Sequence, residues 1–377
     1  MMVRVGILGG GQLAQMMTQA AVSLGVETAI FERIPDSPAA RLTHHNVAGD
    51  WQDADLLRQF AGMCDLITLE NEFVDAGVLD QLAGLGVPVY PTGSTLRLIQ
   101  DKLIQKQTMQ RASVPVPAFE GVDTPEQVIH FADAHGWPVV LKARRNGYDG
   151  YGNATVENEG DLAAAWERFR KEGRALLVEA FVPYERELAV MVLRTRAGTI
   201  HIYPVVETIQ QNHICHVVRA PAGIDRSAAD HAVEMASAAV QAVDGVGIFG
   251  VELFQQADGG ILYNEMAPRP HNSGHYTIEA CVTSQFENHL RAVLGWPVGD
   301  TALVAPAAVM VNVLGSFTGP APTDAARAAL AEPGAHVHVY AKRDVRVGRK
   351  MGHVTVLADT LDGAEAAARR AAQAVAL

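Results

Sequence analysis

The chain has 377 residues, 49% of them hydrophobic and 19% charged, with a formal net charge of -12. This is chain enough for roughly two to four compact units, and the acidic excess argues against nonspecific nucleic-acid binding, so an anionic ligand would need a local basic pocket. No apolar run approaches the ~18 residues of a membrane span, and the start, M-M-V-R-V-G-I-L-G-G-G, enters a strand and a glycine turn directly, unlike a signal peptide. Cys64, Cys215 and Cys281 lie far apart, with no pair at metal spacing, and are expected as buried or incidental thiols of a reducing cytoplasm.

Residues 3–8 are an apolar run expected as a buried strand. Gly9-Gly10-Gly11-Gln12-Leu13-Ala14 follows, residues 13–24 have helical spacing, and residues 28–31 read as a second strand ending at Glu32. This is the outline of a dinucleotide-binding βαβ unit, G-x-G-x-x-A with an acid about 20 residues on. Alone it suggests an NAD(P)-dependent oxidoreductase, although such a turn makes an anion site whichever anion binds. Residues 65–69 are a third expected strand, with Glu70-Asn71-Glu72 at its carboxyl end, where ligands of open α/β sheets gather. As loop charges those acids would simply be solvated. Residues 87–90 are a fourth expected strand.

Residues 101–110 (D-K-L-I-Q-K-Q-T-M-Q) are expected as a helix, on which Lys102 taken alone is a surface lysine. A helix over 124–134 has Thr124 as its cap and Pro125 as its first residue. An apolar strand over 138–141 ends in Lys142. Then Arg144-Arg145-Asn146-Gly147-Tyr148-Asp149-Gly150-Tyr151-Gly152 places three glycines in six residues. It is either a glycine-rich hairpin turn or a mobile loop whose N–H groups wrap phosphate. Lys142, Arg144 and Arg145 supply the local positive charge that an acidic chain needs. A helix over 161–170, a strand over 175–179 and the exit Phe181-Val182-Pro183 follow. Glu187 opens an alternating strand over 188–193. Further strands are expected over 202–207 and 209–216, and an alanine-rich helix over 227–243.

Residues 246–254 and 261–266 read as two strands joined by the turn Ala257-Asp258-Gly259-Gly260. Closure about Asp258-Gly259 sets Glu252 opposite Glu265. Side chains so opposed sit about 5 Å apart, where like charges are unfavourable. A divalent cation removes the conflict; Mg2+ suits two carboxylates with Asn264 as a third oxygen donor. Alternatively, one carboxylate faces solvent. The run N-E-M-A-P-R-P-H-N-S-G-H from Asn264 to His275 is too polar for a core. One helix is expected over 277–294, carrying His289 as a structural histidine. A strand over 306–314, a helix over 323–332 and a strand over 337–340 lead to a segment with five basic residues in nine, Lys342 to Lys350. It is either a solvated basic hairpin or a phosphate clamp. A strand over 354–357 and a helix over 361–375 close the chain.

A hairpin ending in Asn-Glu resembles the metal-binding hairpin of the ATP-grasp superfamily. The run M-A-P-R-P-H-N-S-G-H, the string G-Y-D-G-x-G and the tail K…R-x-G-R-K-M-G-H resemble the 5-(carboxyamino)imidazole ribonucleotide synthase family of purine biosynthesis. The resemblance covers nearly the whole chain. It implies an α/β protein, α+β in part, with the ATP-grasp fold. Residues 1–103 would form a Rossmann-like N-terminal domain without a nicotinamide, 104–182 the lid with its mobile glycine loop, 183–300 the central ATP/Mg2+ subdomain, and 301–377 a small C-terminal domain. It implies a cytoplasmic ligase, a homodimer with no nucleic-acid or membrane partner. The reaction would join bicarbonate to 5-aminoimidazole ribonucleotide at the expense of MgATP, through carboxyphosphate. The alternatives are another ATP-grasp carboxylate–amine ligase, an NAD(P)-dependent oxidoreductase, or a nucleotide-binding regulator without turnover.

The resemblance also implies roles. ATP would meet Lys102, Lys142, Gly147, Tyr148, Asp149, Gly150, Tyr151, Gly152, Asn153, Glu179, Ala180, Phe181, Val182, Glu187, Gln210, Asn264 and Glu265. Mg2+ would be held by Glu252, Glu265 and Asn264. The ribonucleotide would meet Gln12, Glu70, Glu72, Tyr148, Asp149, Arg269, His271, Asn272, Lys342, Arg349 and Lys350. Arg269, His271, Asn272, Ser273, Tyr148 and Asp149 would face the reacting groups. The chain departs from the family pattern at Asn146, more often glycine, at Tyr151, more often basic, and at Gln210, often histidine.

Overall fold

The computed structural model describes residues 2–147, 152–211 and 213–377. The first unit is built from β1 (Arg4–Leu8), α1 (Gln12–Ser23), β2 (Glu27–Glu32), β3 (His45–Ala48), α2 (Ala54–Ala61), β4 (Leu66–Leu69), α3 (Ala76–Gly84) and α4 (Gly93–Gln100). Its strands are parallel in the order β3-β2-β1-β4. Helices cover both faces, which is why β1, β2 and β4 read as continuous apolar runs. Leu8, Phe31 and Leu69 pack with Phe60 and Leu79 on one face. Val5, Ile7 and Ile30 pack with Leu13, Met16 and Met17 on the other. The expected strand over 87–90 shrinks to one bridge, Ile67 to Val89. The fourth strand is instead β3, whose sequence H-N-V-A has one buried residue in four and so carries no apolar signal.

Asp101 ends α4 and caps α5 (Lys102–Arg111), its carboxylate accepting from Leu103 and Ile104 N–H. The second unit has β5 (Phe119–Val122), α6 (Pro125–His135), β6 (Val139–Ala143), β7 (Asn153–Val156), α7 (Glu159–Lys171) and β8 (Leu176–Ala180). These strands are antiparallel in the order β5-β8-β6-β7. Val139, Leu141 and Val178 face a core under α6 and α7. The period of two therefore turns Lys142 and Glu179 to the opposite face.

The rest of the chain forms β9 (Tyr184–Arg194), β10 (Ile200–Ile202), β11 (Val206–Gln211), β12 (Ile214–Ala220), α8 (Arg226–Ala242), β13 (Gly247–Gln256), β14 (Ile261–Ala267), α9 (Thr277–Ala280) and α10 (Gln285–Leu294). It ends with β15 (Ala307–Leu314), β16 (Gly319–Pro320), β17 (Ala335–Val339), β18 (Asp344–Val345), β19 (Lys350–Ala358) and α11 (Leu361–Gln373). Among the described residues, nine strands make one sheet, β14-β13-β9-β11-β12-β15-β19-β17, with β10 paired to β9. The last three strands join through β12 and β15, so the sheet runs on across the expected boundary at residue 300.

Several expectations need correction here. Pro204 separates β10 from β11, and β11 ends at Gln211 before β12 begins at Ile214, where two strands over 202–207 and 209–216 were expected. The helix over 277–294 is two helices. Cys281 leaves the first to pair with Leu303, and Ser284 restarts the second by capping Glu287 N–H. The helix over 323–332 is a set of turns with one 3-10 turn, Ala329–Ala331. A segment that short between prolines has too few hydrogen bonds to offset nucleation.

Candidate active site

A cleft of about 1440 Å³ opens at the carboxyl end of β4 and is lined from every unit. A drug-sized ligand needs roughly 300–1,000 Å³, so this cleft has room for two nucleotide-sized ligands. It is lined by every expected site residue among those described except Gly152 and Ser273.

The hairpin β13–β14 sets Glu252 opposite Glu265, as its sequence suggested. The register shifts by one beyond them, so Leu253 pairs with Tyr263 and Asn264 is the extra residue of a β-bulge. Two residues of a bulged strand oppose one partner. Asn264 and Glu265 therefore both serve the cleft beside Glu252, while Tyr263 is buried in the core beneath. Burial, and then the charge of Glu187, push the Glu252 carboxyl up to about 7. Lys102 forms an ion pair with Glu265. Burial, and then Lys142, pull the Lys102 ammonium down to about 8. Two carboxylates and an amide oxygen are hard donors that fit Mg2+, which is typically held by one or two carboxylates plus phosphates. Among the described residues no cluster of three His, Cys, Asp or Glu side chains could hold a metal without such help.

Lys142 sits 2.8 Å from Glu179 Oε2 and donates to Asn264 Oδ1 at 3.2 Å. Burial favours the neutral acid at Glu179, but Lys106 and Lys142 outweigh it and hold the carboxyl below its ordinary value. The side chain of Glu179 is thus taken up by lysines, and Ala180, Phe181 and Val182 line the cleft beside it. Burial raises the Glu187 carboxyl against its hydrogen bonds to Tyr184 and Gln210. Gln210, a departure from the family, thus keeps a polar contact to Glu187. Tyr184 stacks on Phe254 with ring centres 4.7 Å apart, a flat apolar wall beside these groups.

Tyr148, Asp149, Gly150 and Tyr151 lie outside the described residues. The flanks of that loop meet closely: a Cβ on Gly152 would fall 2.6 Å from Gly147 Cα. Asn146 has a φ of 58°, a left-handed conformation that glycine favours and asparagine tolerates. The departure from glycine at this position is therefore accommodated. Arg144, also on the cleft wall, is tied to Asp101 at 2.7 and 3.0 Å. Asn153 lines the cleft.

The glycine turn of the first unit contradicts the nicotinamide reading. Gly10 N–H donates to Glu32 Oε2 and Gly11 N–H to Glu70 Oε2, each at 2.8 Å. The donors that would cradle a pyrophosphate are occupied by the protein's own carboxylates. Two more negative charges would repel the ligand. Burial, partly offset by Gly11 N–H and then reinforced by Glu32, raises the Glu70 carboxyl above its usual range. Gln12, the first residue of α1, lines the cleft nearby.

Arg269 grips Glu72 through two nitrogens, the Nη2 contact at 2.8 Å. Burial opposes the Glu72 charge, but the guanidinium outweighs it and keeps the carboxyl low. His271 packs on β13 at Gly250, where a Cβ would fall 2.4 Å from His271 Cβ. Its Nδ1 accepts Ser273 N–H at 3.4 Å, leaving the proton on Nε2, 3.5 Å from Glu252 Oε1. Burial, and then Arg269, lower His271 to about 3, so the ring is neutral near pH 7. Asn272 and Asn312 exchange amide hydrogen bonds at 2.7 and 3.0 Å, tying this run to β15. Ser273 is 2% exposed and off the cleft wall. It does not stand among the groups that could face a reacting atom.

On the opposite wall, Lys342 donates to Lys350 O at 2.6 Å, and Arg349 and Lys350 line the cleft with it. This is the local basic pocket demanded by a chain of net charge -12. His289 is fully buried, with Ile248 N–H on Nδ1 at 3.1 Å and Thr68 Oγ1 on Nε2 at 2.8 Å. It is structural, as expected. Burial pushes the Cys64 and Cys281 thiols up to about 12, out of reach as nucleophiles. Lys106, Asp101 and Asn312 went unnoticed in the sequence. Lys106 alone had a signal, its place one helical turn after Lys102.

Residues 2–100 match the ribonucleotide synthetase preATP-grasp domain and residues 107–286 the ATP-grasp domain. Residues 308–367 match the phosphoribosylaminoimidazole carboxylase C-terminal domain. Fold and cleft together define a protein of the ATP-grasp class. The N5-carboxyaminoimidazole ribonucleotide synthase of Synechococcus elongatus is 42% identical over 355 residues, 93% of this chain and 89% of that relative. The crystal structure of N5-carboxyaminoimidazole synthase from Aspergillus clavatus in complex with ADP and 5-aminoimidazole ribonucleotide superposes with a TM-score of 0.91 at 35% identity, covering 99% of each chain. The chain belongs to the N5-carboxyaminoimidazole ribonucleotide synthase family. The chloroplastic phosphoribosylaminoimidazole carboxylase of Vigna aconitifolia is 40% identical over 96% of this chain, which spans 65% of that longer protein.

Proposed function

We propose that the chain carboxylates 5-aminoimidazole ribonucleotide to 5-(carboxyamino)imidazole ribonucleotide with ATP and bicarbonate, releasing ADP and phosphate, in purine biosynthesis. One observation carries this reading. A single cleft holds the lysine-flanked acids of the hairpin on one wall and the cationic group Lys342, Arg349 and Lys350 on another, with Arg269 and His271 also lining it.

Lys102 and Lys142 would neutralise the triphosphate where charge develops during phosphoryl transfer. Glu252, Glu265 and Asn264 are the residues that would hold Mg2+, whose chemistry when bound is to offset charge on the phosphates. A bicarbonate oxygen attacks the γ-phosphorus, ADP leaves, and carboxyphosphate forms. The exocyclic amine then attacks its carbon, or carbon dioxide released from it; phosphate leaves and the amine proton is lost. Arg269, held in place by Glu72, offers positive charge to the bicarbonate. Neutral His271 offers Nε2–H as a donor and cannot act as a base through that nitrogen. We assign the glycine-rich loop bearing Tyr148 and Asp149 to covering carboxyphosphate against water. Lys342, Arg349 and Lys350 are assigned to the ribonucleotide phosphate, with Glu70 and Gln12 towards its base. The same reading makes the protein a cytoplasmic homodimer, in keeping with three cysteines that remain thiols.

The test is ADP release measured with each substrate withheld in turn. Full turnover needs both the aminoimidazole ribonucleotide and bicarbonate. Equal ADP release with another amine or carboxylate acceptor would make the chain a different ATP-grasp ligase.

A further inference from the structure

Lys106 has no part in the chemistry just described. It lies one turn after Lys102 on α5, is 2% exposed, and does not line the cleft. Its ammonium donates to the Asn264 carbonyl oxygen at 3.1 Å and sits 3.3 Å from Glu179 Oε1. The contact with Oε1 is charge to charge, since that oxygen makes no aligned hydrogen bond. Lys142 bridges the same two residues from the cleft side, through Glu179 Oε2 and Asn264 Oδ1. Lys106, Glu179, Lys142 and Asn264 thus close a ring between the end of β8 and the bulge of β14.

The two lysines are not equivalent. Lys142 faces the cleft, where a polyphosphate would compete for it, whereas Lys106 is enclosed. Glu179 is 2% exposed, and a buried carboxylate with one cation holds that cation tightly. With two cations, one can be released without leaving a bare charge.

We propose that Lys106 is a positioning residue, a fixed buried counter-ion to Glu179 that frees Lys142 for the phosphates. The inference rests on the ATP reading above. Without Lys106, Glu179 retains Lys142 as its one cation.

Calorimetric binding of MgADP to the full-length protein tests this in wild type, Lys106→Met and the double variant Lys106→Met with Glu179→Gln. The single variant is expected to bind MgADP more weakly by over about fivefold, and the double variant, with no carboxylate to hold Lys142, to return within about fivefold of wild type. Affinity for the aminoimidazole ribonucleotide stays unchanged in both. A single variant that binds like wild type overturns the proposal, as does a double variant as weak as the single. Should the single variant not fold, the double variant decides alone by the same threshold. Wild type that fails to bind MgADP would instead defeat the ATP reading itself.

Discussion

Glu252 stands opposite Glu265 through a one-residue shift at Asn264. Nearer the turn, Leu253 pairs with Tyr263, Phe254 with Leu262 and Gln255 with Ile261. Continued unbroken, that register would set Glu252 against Asn264 and turn Glu265 to the core. The bulge keeps both residues at the cleft, which gives the hairpin three oxygen donors in one place.

Glu265→Gln keeps the shape of the side chain and removes its charge. Loss of one such electrostatic group at a phosphoryl-transfer site costs about 2.7–4 kcal/mol, so ADP formation should fall about 10²–10³-fold. Thermal melting without ligand should stay near that of wild type. Turnover at the wild-type rate would exclude Glu265 from the metal site.

Arg349 lines the basic wall, and burial followed by the neighbouring Arg346 lowers its pKa from the usual arginine value. Crowded cations of this kind are relieved by an anion. Arg349→Ala should raise KM for the aminoimidazole ribonucleotide by about 10–100-fold, the worth of a charge-assisted hydrogen bond, and leave KM for ATP nearly unchanged. Steady-state kinetics with each substrate varied will show it; equal rises in both would assign Arg349 elsewhere.

The glycine turn makes a sharp ligand prediction. Glu32 and Glu70 already occupy Gly10 and Gly11 N–H. MgATP at about a hundred times its Kd should stabilise the fold by about 2.7 kcal/mol and raise Tm. NAD at the same concentration should leave Tm where it is. A shift with NAD would mean that the two carboxylates give way.

His289 gives the protein an acid limit. Burial lowers it from an ordinary 6.5 to about 3. The folded state therefore binds fewer protons than the unfolded state between those values. Its contribution to stability is complete above about pH 6.5 and is lost as pH falls towards 3, by up to about 1.4 kcal/mol per pH unit. Urea unfolding at pH 7 and pH 5 should show a steeper loss for wild type than for His289→Gln. Parallel losses would show that this histidine titrates normally in the fold.

Much of the site was legible because its signals are local. Turn chemistry at Asp258-Gly259 and alternation in the flanking strands marked the hairpin and its acids, although the final pairing of Glu252 with Glu265 depends on the bulge. The cap at Thr124 and the basic run from Lys342 were likewise visible as neighbours in sequence. Where local signals are weak, expectation failed. β3 has one buried residue in four, and the segment 323–332 had helical composition without length.

By itself, then, the sequence determined most of the strands, the presence of the hairpin and the residue types gathered at the cleft, since periodicity and turn preference act between near neighbours. The tertiary structure alone decided that Glu32 and Glu70 close the glycine turn, that Ser273 is buried, that Lys106 faces Glu179, and that the last strands extend the central sheet. Each of these depends on groups far apart in the chain. Which charge meets which is settled by the packing that removes them both from water.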